Sequence, residues 1–168
     1  PKFSNLIKVT NKDFMEVDKI STQSLEIFSR INGEKKGSLI DFLDKTITAG
    51  GSRLLHDHLG NPLLNKEIIN KRLHFIKMFI QNEDLINSIR LSMKGLPDVL
   101  RALSRISAKI KNPRDVSTVL IFIIKTLQIF SHLKENNQKD LLSLVPNQKI
   151  ISNLKSIAKK IEERIIDN

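Results

Sequence analysis

The feature that most constrains this chain is the run NPRDVSTVLIFIIKTLQIFSHLK at 112–134, where apolar residues recur at 116, 119, 120, 123, 127, 130 and 133. That i, i+3 or i+4, i+7 spacing lines one face of a helix and does not fit the two-residue alternation of a half-buried strand. Asn112 supplies a cap and Pro113 a first-turn residue whose missing N–H is one of the orphans in any case. At 1.5 Å per residue, roughly 21 residues reach about 32 Å. A helix of that length with an apolar face needs other helices to cover it.

The neighbouring segments supply them. NKEIINKRLHFIKMFIQ at 65–81 carries apolar residues at 69, 73, 76 and 80, widened by 68, 75 and 79, with Asn65 as cap, and predicts a helix burying one broad face. Further helices are predicted from a cap at Ser21 or Thr22, from Ser38, from Thr46 or Thr48 to about Gly60, over 83–94, from Pro97 to about Ile110, and from about Asn147 to the end. Phe14, Met15 and Val17 suit a short strand or an extended lead-in. No strand–helix alternation follows residue 20, and no repeat of 20–50 residues is present. The predicted fold class is therefore all-α, a multi-helix bundle with a short extended lead-in at the N-terminus. One domain is the default for 168 residues.

Composition narrows the chemistry. There is no cysteine, which removes disulfides, thiolate metal sites and a cysteine nucleophile. The longest apolar run, VLIFII at 119–124, is followed by Lys125, against about 20 residues for a membrane span. The chain opens on Pro1 without an initiator methionine or a readable leader, and its last apolar stripe has no terminating glycine or proline, so a piece of a longer chain is expected. Net charge is +10, and the excess lies in the middle: residues 61–111 hold ten basic and four acidic groups, whereas 1–60 hold nine and eight. Two readings of that charge stand, a solvated lysine surface and a face that tracks phosphates. The lack of Trp and Tyr argues against a base-stacking platform.

The stretch TITAGGSRLLHDHL at 46–59 looks most like a site. Neither it nor GEKKGS at 33–38 fits the G-x-x-x-x-G-K-[ST] phosphate loop, whose lysine reaches the terminal phosphates. An anion at a helix N-terminus near Gly50, Gly51 and Ser52, with Arg53 helping, competes with close backbone packing at the two glycines. His56 and His58 sit about 200° apart on a helix and cannot face one metal. His74 and His132 lie in other helices, so no metal site is predicted. In PDVLRALSRI, Arg101 and Arg105 share a face, with Asp98 three residues before Arg101. They read either as a weak surface ion pair or as arginines gripping a carboxylate bidentately across a helix–helix interface, with Asp44 a candidate partner.

These motifs have an order. Met15, Asp18, Thr22, SLEI at 24–27, GSL at 37–39, LDKTIT at 43–48, GSRLL at 51–55, PL at 62–63, RL at 72–73, PDVLRALSRI at 97–106 and PRD at 113–115 follow in the order and spacing of the core domain of the DNA mismatch-repair MutS family. The chain resembles that family over roughly residues 15–130. His58 stands where the family often has Trp, and Leu100 where an acidic residue is usual beside Arg101.

The resemblance implies that residues 20–168 are the first part of a helical core domain with long lever-like helices, ahead of a DNA-gripping clamp, and that 1–19 are the junction from a connector domain. Phe14 and Glu16 mimic the family's Phe-x-Glu mismatch reader but sit at that junction. The family-motif positions are Asp44, Thr46, Thr48, Gly51, Arg53, Asp98, Arg101, Arg105, Pro113 and Asp115, all structural. No catalytic, cofactor or metal residue is implied here. ATP and Mg2+ would bind elsewhere in a DNA-dependent ATPase parent. The implied partners are the other domains of the same chain, a second MutS subunit, mismatched duplex DNA and a MutL-type protein, in the cytoplasm at the nucleoid. The implied role is to couple the ATPase, connector and clamp domains. Two other readings remain: a paralogue acting on recombination intermediates, and a free-standing basic helical module that binds nucleic acid.

Overall fold

The computed structural model describes residues 13–110, 112–135 and 139–166. Among them are nine helices: α1 (Lys19–Ser24), α2 (Leu39–Leu43), α3 (Ala49–Gly60), α4 (Lys66–Ile80), α5 (Glu83–Met93), α6 (Val99–Ser107), α7 (Pro113–Glu135), α8 (Lys139–Leu142) and α9 (Gln148–Ile166). The described residues are all-α apart from an isolated antiparallel bridge between Phe14 and Leu63. Two compact units result, one of residues 13–45 and 52–76, the other of 46–51 and the described residues from 77 onward.

In the first unit the extended lead-in is tied down, with Met15 N–H donating to the Pro62 carbonyl at 2.7 Å and Leu64 N–H to the Asp13 carbonyl at 2.8 Å. The cap of α1 is Asp18 rather than Ser21 or Thr22. Its carboxylate accepts from both the Ser21 amide and the Ser21 hydroxyl, so Ser21 is spent as a donor inside the first turn. The helix stops at Ser24, and Glu26 takes a left-handed φ of 49°. The carbonyls of Glu26 and Ile27 then accept from the Leu39 and Ile40 amides, which docks the start of α2 on this turn. Ser38 caps α2 as expected and is buried, its hydroxyl also donating to the Lys35 carbonyl at 2.6 Å.

The second unit is built around α7, which packs against α5, α6, α8 and α9. Its core is Met78, Leu85, Ala102, Ile123, Leu133, Leu141, Ile151 and Ala158. Lys125, which interrupts the apolar run, reaches the Lys94 carbonyl at the C-terminal cap of α5 with 2.7 Å between Nζ and oxygen. A cation there satisfies an orphan carbonyl and the negative end of the helix dipole. By length and composition alone α7 could span a membrane, with a mean hydropathy of 1.7 in its most apolar window, which the six-residue run did not suggest. The difference arises because Ser, Thr and Gln break the run without adding charge. Within the second unit the helix packs against α5, α6, α8 and α9, and only a small part of that apolar window is buried.

Two expectations fail on burial and boundary. The stripe at 69, 73, 76 and 80 of α4 does not mark the buried face: Leu73, Ile76 and Ile80 are exposed, and Met78 is the residue buried. Periodicity identifies an apolar stripe and leaves open whether a neighbour covers it. Pro97 precedes α6 instead of opening it, because the Asp98 carboxylate accepts from the Arg101 amide and makes Asp98 the cap.

Leu141, fully buried, should show this core's packing cost: Leu141→Ala is expected to lose about 2–5 kcal/mol in urea unfolding. Ile80→Ala, at a side chain 71% exposed, is expected to change stability by less than about 1 kcal/mol.

Candidate functional site: the α6–α7 corner

The most buried charge in the second unit lies where α6 turns into α7. After Ser107 the chain reverses through Ala108, and Lys109 adopts a left-handed φ of 57°. The Lys109 amide donates to the Ile106 carbonyl and the Ile110 amide to the Arg105 carbonyl, the paired bonds of a Schellman closure with lysine where glycine is usual. Asn112 then caps α7, its side-chain oxygen accepting from the Arg114 amide at 3.0 Å, and Pro113 opens the helix. This places Asp115 in the first turn of α7, where the helix dipole favours a carboxylate.

Asp115 is 1% exposed, and its charge is met by Arg105 from the last turn of α6. The guanidinium Nε donates to the two carboxylate oxygens at 3.1 and 2.9 Å, and a terminal nitrogen donates to Oδ1. Such a fork matches the planar geometry of both groups. The Arg105 hydrogen bond holds the Asp115 carboxyl below the usual carboxylate range, against the opposing effect of desolvation, and the Arg105 charge adds to the lowering. The same bond raises Arg105 above its ordinary value. Two short loop bonds and one fork thus fix the angle between two helices.

The carboxylate that Arg105 grips is therefore Asp115, ten residues on, not the candidate Asp44. In the first unit Asp44 accepts from the Ser52 hydroxyl at 2.9 Å. Arg101 and Arg105 do not act together: Arg101 is exposed, while Arg105 turns in. The signal for Asp115 was present in NPRD, which places an acid at the start of a helix, but the reversal that aims Arg105 at it carries no glycine to announce it.

The stretch 46–59 separates into small structural tasks. Thr48 Oγ1 accepts from the Gly51 amide at 3.0 Å and caps α3. A Cβ on Gly51 would stand 3.0 Å from that oxygen and 3.5 Å from Thr46 Cβ, whereas one on Gly50 would meet nothing. Only the second glycine is a close-packing residue. In the first unit His56 stacks on Phe28 with 4.0 Å between ring centroids. His58 is half-buried, and desolvation, then the Arg72 charge, lowers its pKa. Arg53 is exposed. Among the described residues no group of three or more His, Asp or Glu side chains converges as a metal site would require.

These observations define an all-α domain in which a buried carboxylate joins two helices. Its sequence says which one. Residues 21–168 match the family described as MutS domain III. The chain is 34% identical over 137 residues to the DNA mismatch repair protein MutS of Ehrlichia ruminantium (strain Welgevonden), covering 82% of this chain and 17% of that protein. It is 39% identical over 122 residues to MutS of Wolbachia pipientis wMel, 73% of this chain and 14% of that protein. It is 35% identical over 155 residues to MutS of Bartonella tribocorum, 90% of this chain and 16% of that protein. The chain belongs to the MutS family, matches its domain III over residues 21–168, and spans about one-sixth of the length of these relatives.

Because the folded pKa of Asp115 lies below its unfolded one, the pair's contribution is complete above about pH 4 and is lost as pH falls through the folded value. Thermal melts from pH 7 to pH 2 should therefore fall more steeply for the parent than for Asp115→Asn. Arg105→Ala should lower the melting temperature at pH 7 clearly more than Arg101→Ala; equal melts would remove the fork's importance. Lys109→Gly should relieve left-handed strain and raise stability by roughly 0.5–1 kcal/mol in urea unfolding.

Proposed function

We propose that this chain acts as the structural core of a MutS-type mismatch-repair protein, holding connector, clamp and ATPase domains in register and passing the nucleotide state to the grip on DNA. The observation that carries the reading is the Arg105–Asp115 fork. A buried carboxylate does not tolerate losing its cation, so the pair suits a corner that must hold one angle under load. The 23 residues of α7, about 35 Å of helix, supply a stiff element leading from that corner.

In this proposal ATP and Mg2+ bind elsewhere in the parent. The partners are the other domains of the chain, a second MutS subunit, mismatched duplex DNA and a MutL-type protein, in the cytoplasm. The chain's own residues perform no catalysis. Membership in a family of DNA mismatch-repair proteins supports the reading, as does the use of the buried charge described above.

Residues 21–168 grafted in place of the matched region of Bartonella tribocorum MutS provide the test. The graft is expected to bind a mismatched duplex and to leave it when ATP is added. With Arg105→Ala in the graft, ATP hydrolysis should persist while ATP-triggered release slows by about tenfold, as expected for a loss of 1–2 kcal/mol in coupling. Release at the unmodified graft's rate would reject this corner as part of the coupling.

A further inference from the structure

In the first unit, the connection between α1 and α2 carries the chain's one Asn–Gly step, Asn32–Gly33. The Gly33 amide donates to the Arg30 carbonyl and the Arg30 amide to the Glu34 carbonyl, each at 2.8 Å, which closes a tight, exposed turn. The Asn32 side chain folds back along it. Its Oδ1 accepts from the Glu34 amide at 3.1 Å, and its Nδ2 donates to Glu34 Oε2 at 3.1 Å. A side-chain oxygen that reaches the amide two residues on passes beside the intervening peptide nitrogen, here that of Gly33. Gly33 has a left-handed φ of 86°, and the space where a Cβ would stand is open. No side chain of its own therefore crowds an approach of the Asn32 Cγ to that nitrogen.

We infer that Asn32 is a self-modifying site, losing its amide through the Gly33 nitrogen, and that the carboxylate left behind opens the turn by opposing Glu34. The Gly33 nitrogen gives its proton to solvent hydroxide and bonds to Cγ. The Cγ–Nδ2 bond then breaks, and Nδ2 leaves as ammonia with a proton taken from water. Water adds to either carbonyl of the resulting succinimide to give aspartate or isoaspartate, so the balance is one water in and one ammonia out. The hydrogen bond from the Glu34 amide polarises the Asn32 side-chain carbonyl toward attack and holds it in place. Arg30, Lys35 and Lys36 against Glu34 leave the turn net positive, which favours the anionic nitrogen. The bond from Gly33 to the Arg30 carbonyl opposes the step, but the loss of a single exposed turn bond slows it by no more than about tenfold. Asn61 and Asn112 have no such route, since prolines follow them and carry no N–H, and Asn87 lies within α5, where the next amide is tied into the helix. After the exchange, the Nδ2 donor has become a carboxylate oxygen facing Glu34 Oε2, and a hydrogen bond has turned into a repulsion.

The chain is incubated at mildly alkaline pH beside a synthetic peptide of residues 28–37. Peptide mapping by mass spectrometry locates the new acid, and methyl transfer by an isoaspartate methyltransferase counts the isoaspartate. Position 32 should convert before any other asparagine, at a rate within about tenfold of the free peptide's. Gly33→Ala, which adds a methyl group into open space, should slow the conversion about tenfold or more, and Asn32→Gln, whose ring would be one atom larger, should abolish it. Conversion of another asparagine first, a rate below the range set by the peptide, or equal rates in the parent and Gly33→Ala would overturn the route. The opening of the turn is read separately, by trypsin cleavage after Lys35 and Lys36. N32D should be cut about three- to tenfold faster there than the parent, and N32D/E34Q at the parent's rate. Equal cleavage of all three, or a double variant cut as fast as N32D, would overturn the repulsion.

Discussion

A carboxylate buried at the first turn of a long helix is tolerable only if a cation meets it, and Asp115 sets that requirement for the second unit. Arg105 must arrive from α6 with its fork aligned, so α6 has to end within reach of the start of α7. That forces a tight reversal, closed by two amides on the Ile106 and Arg105 carbonyls and held by a lysine in the left-handed region. Once the corner is set, α7 projects from it with Ile123 and Leu133 turned into the core, and α5, α8 and α9 pack along it. Removing Arg105 would leave the buried Asp115 carboxylate without its cation, which is worse than never having had the pair, whereas Arg105 itself keeps contact with solvent.

The exposed apolar side chains make sense in the same frame. Ile80, Leu91, Ile121 and Ile157 stand in solvent, more than single scattered contacts with water would explain. The matched region makes up about one-sixth of the length of its relatives. The polar investments of this chain go instead to its own joints. Lys125 closes the end of α5, Ser38 is buried at the head of α2, and Thr48 closes the head of α3.

Much of the candidate site was legible before the fold was seen. The Thr48 cap and the Gly51 approach follow from TITAGGS, since a hydroxyl before a helix accepts amides and a glycine permits contact. The bidentate use of an arginine on α6 can be read from the sequence, whereas Asp44, the candidate partner, is not the acid it grips. Which acid meets it depends on the path of the reversal through Ala108 and Lys109. Lys109 hides that path, because a left-handed residue other than glycine leaves no trace in the sequence. Asp18 was missed as a cap for a related reason: a serine three residues later competes for the role and loses only because its own amide and hydroxyl are used as donors.

The sequence by itself determined the all-α class, the existence of α7 and the caps at Ser38, Thr48 and Asn112, as well as the family. Each of these depends on residues a few positions apart along one chain segment, where spacing and hydrogen-bonding capacity decide the outcome. Tertiary structure alone decided that Asp115 meets Arg105, that Lys125 reaches the Lys94 carbonyl, and that α4 buries Met78 while Leu73, Ile76 and Ile80 stay in water. Those outcomes turn on which helix lies opposite which face. An apolar stripe has no means of naming its neighbour, and a charge is not committed to a partner until the backbone has brought one within about 3 Å.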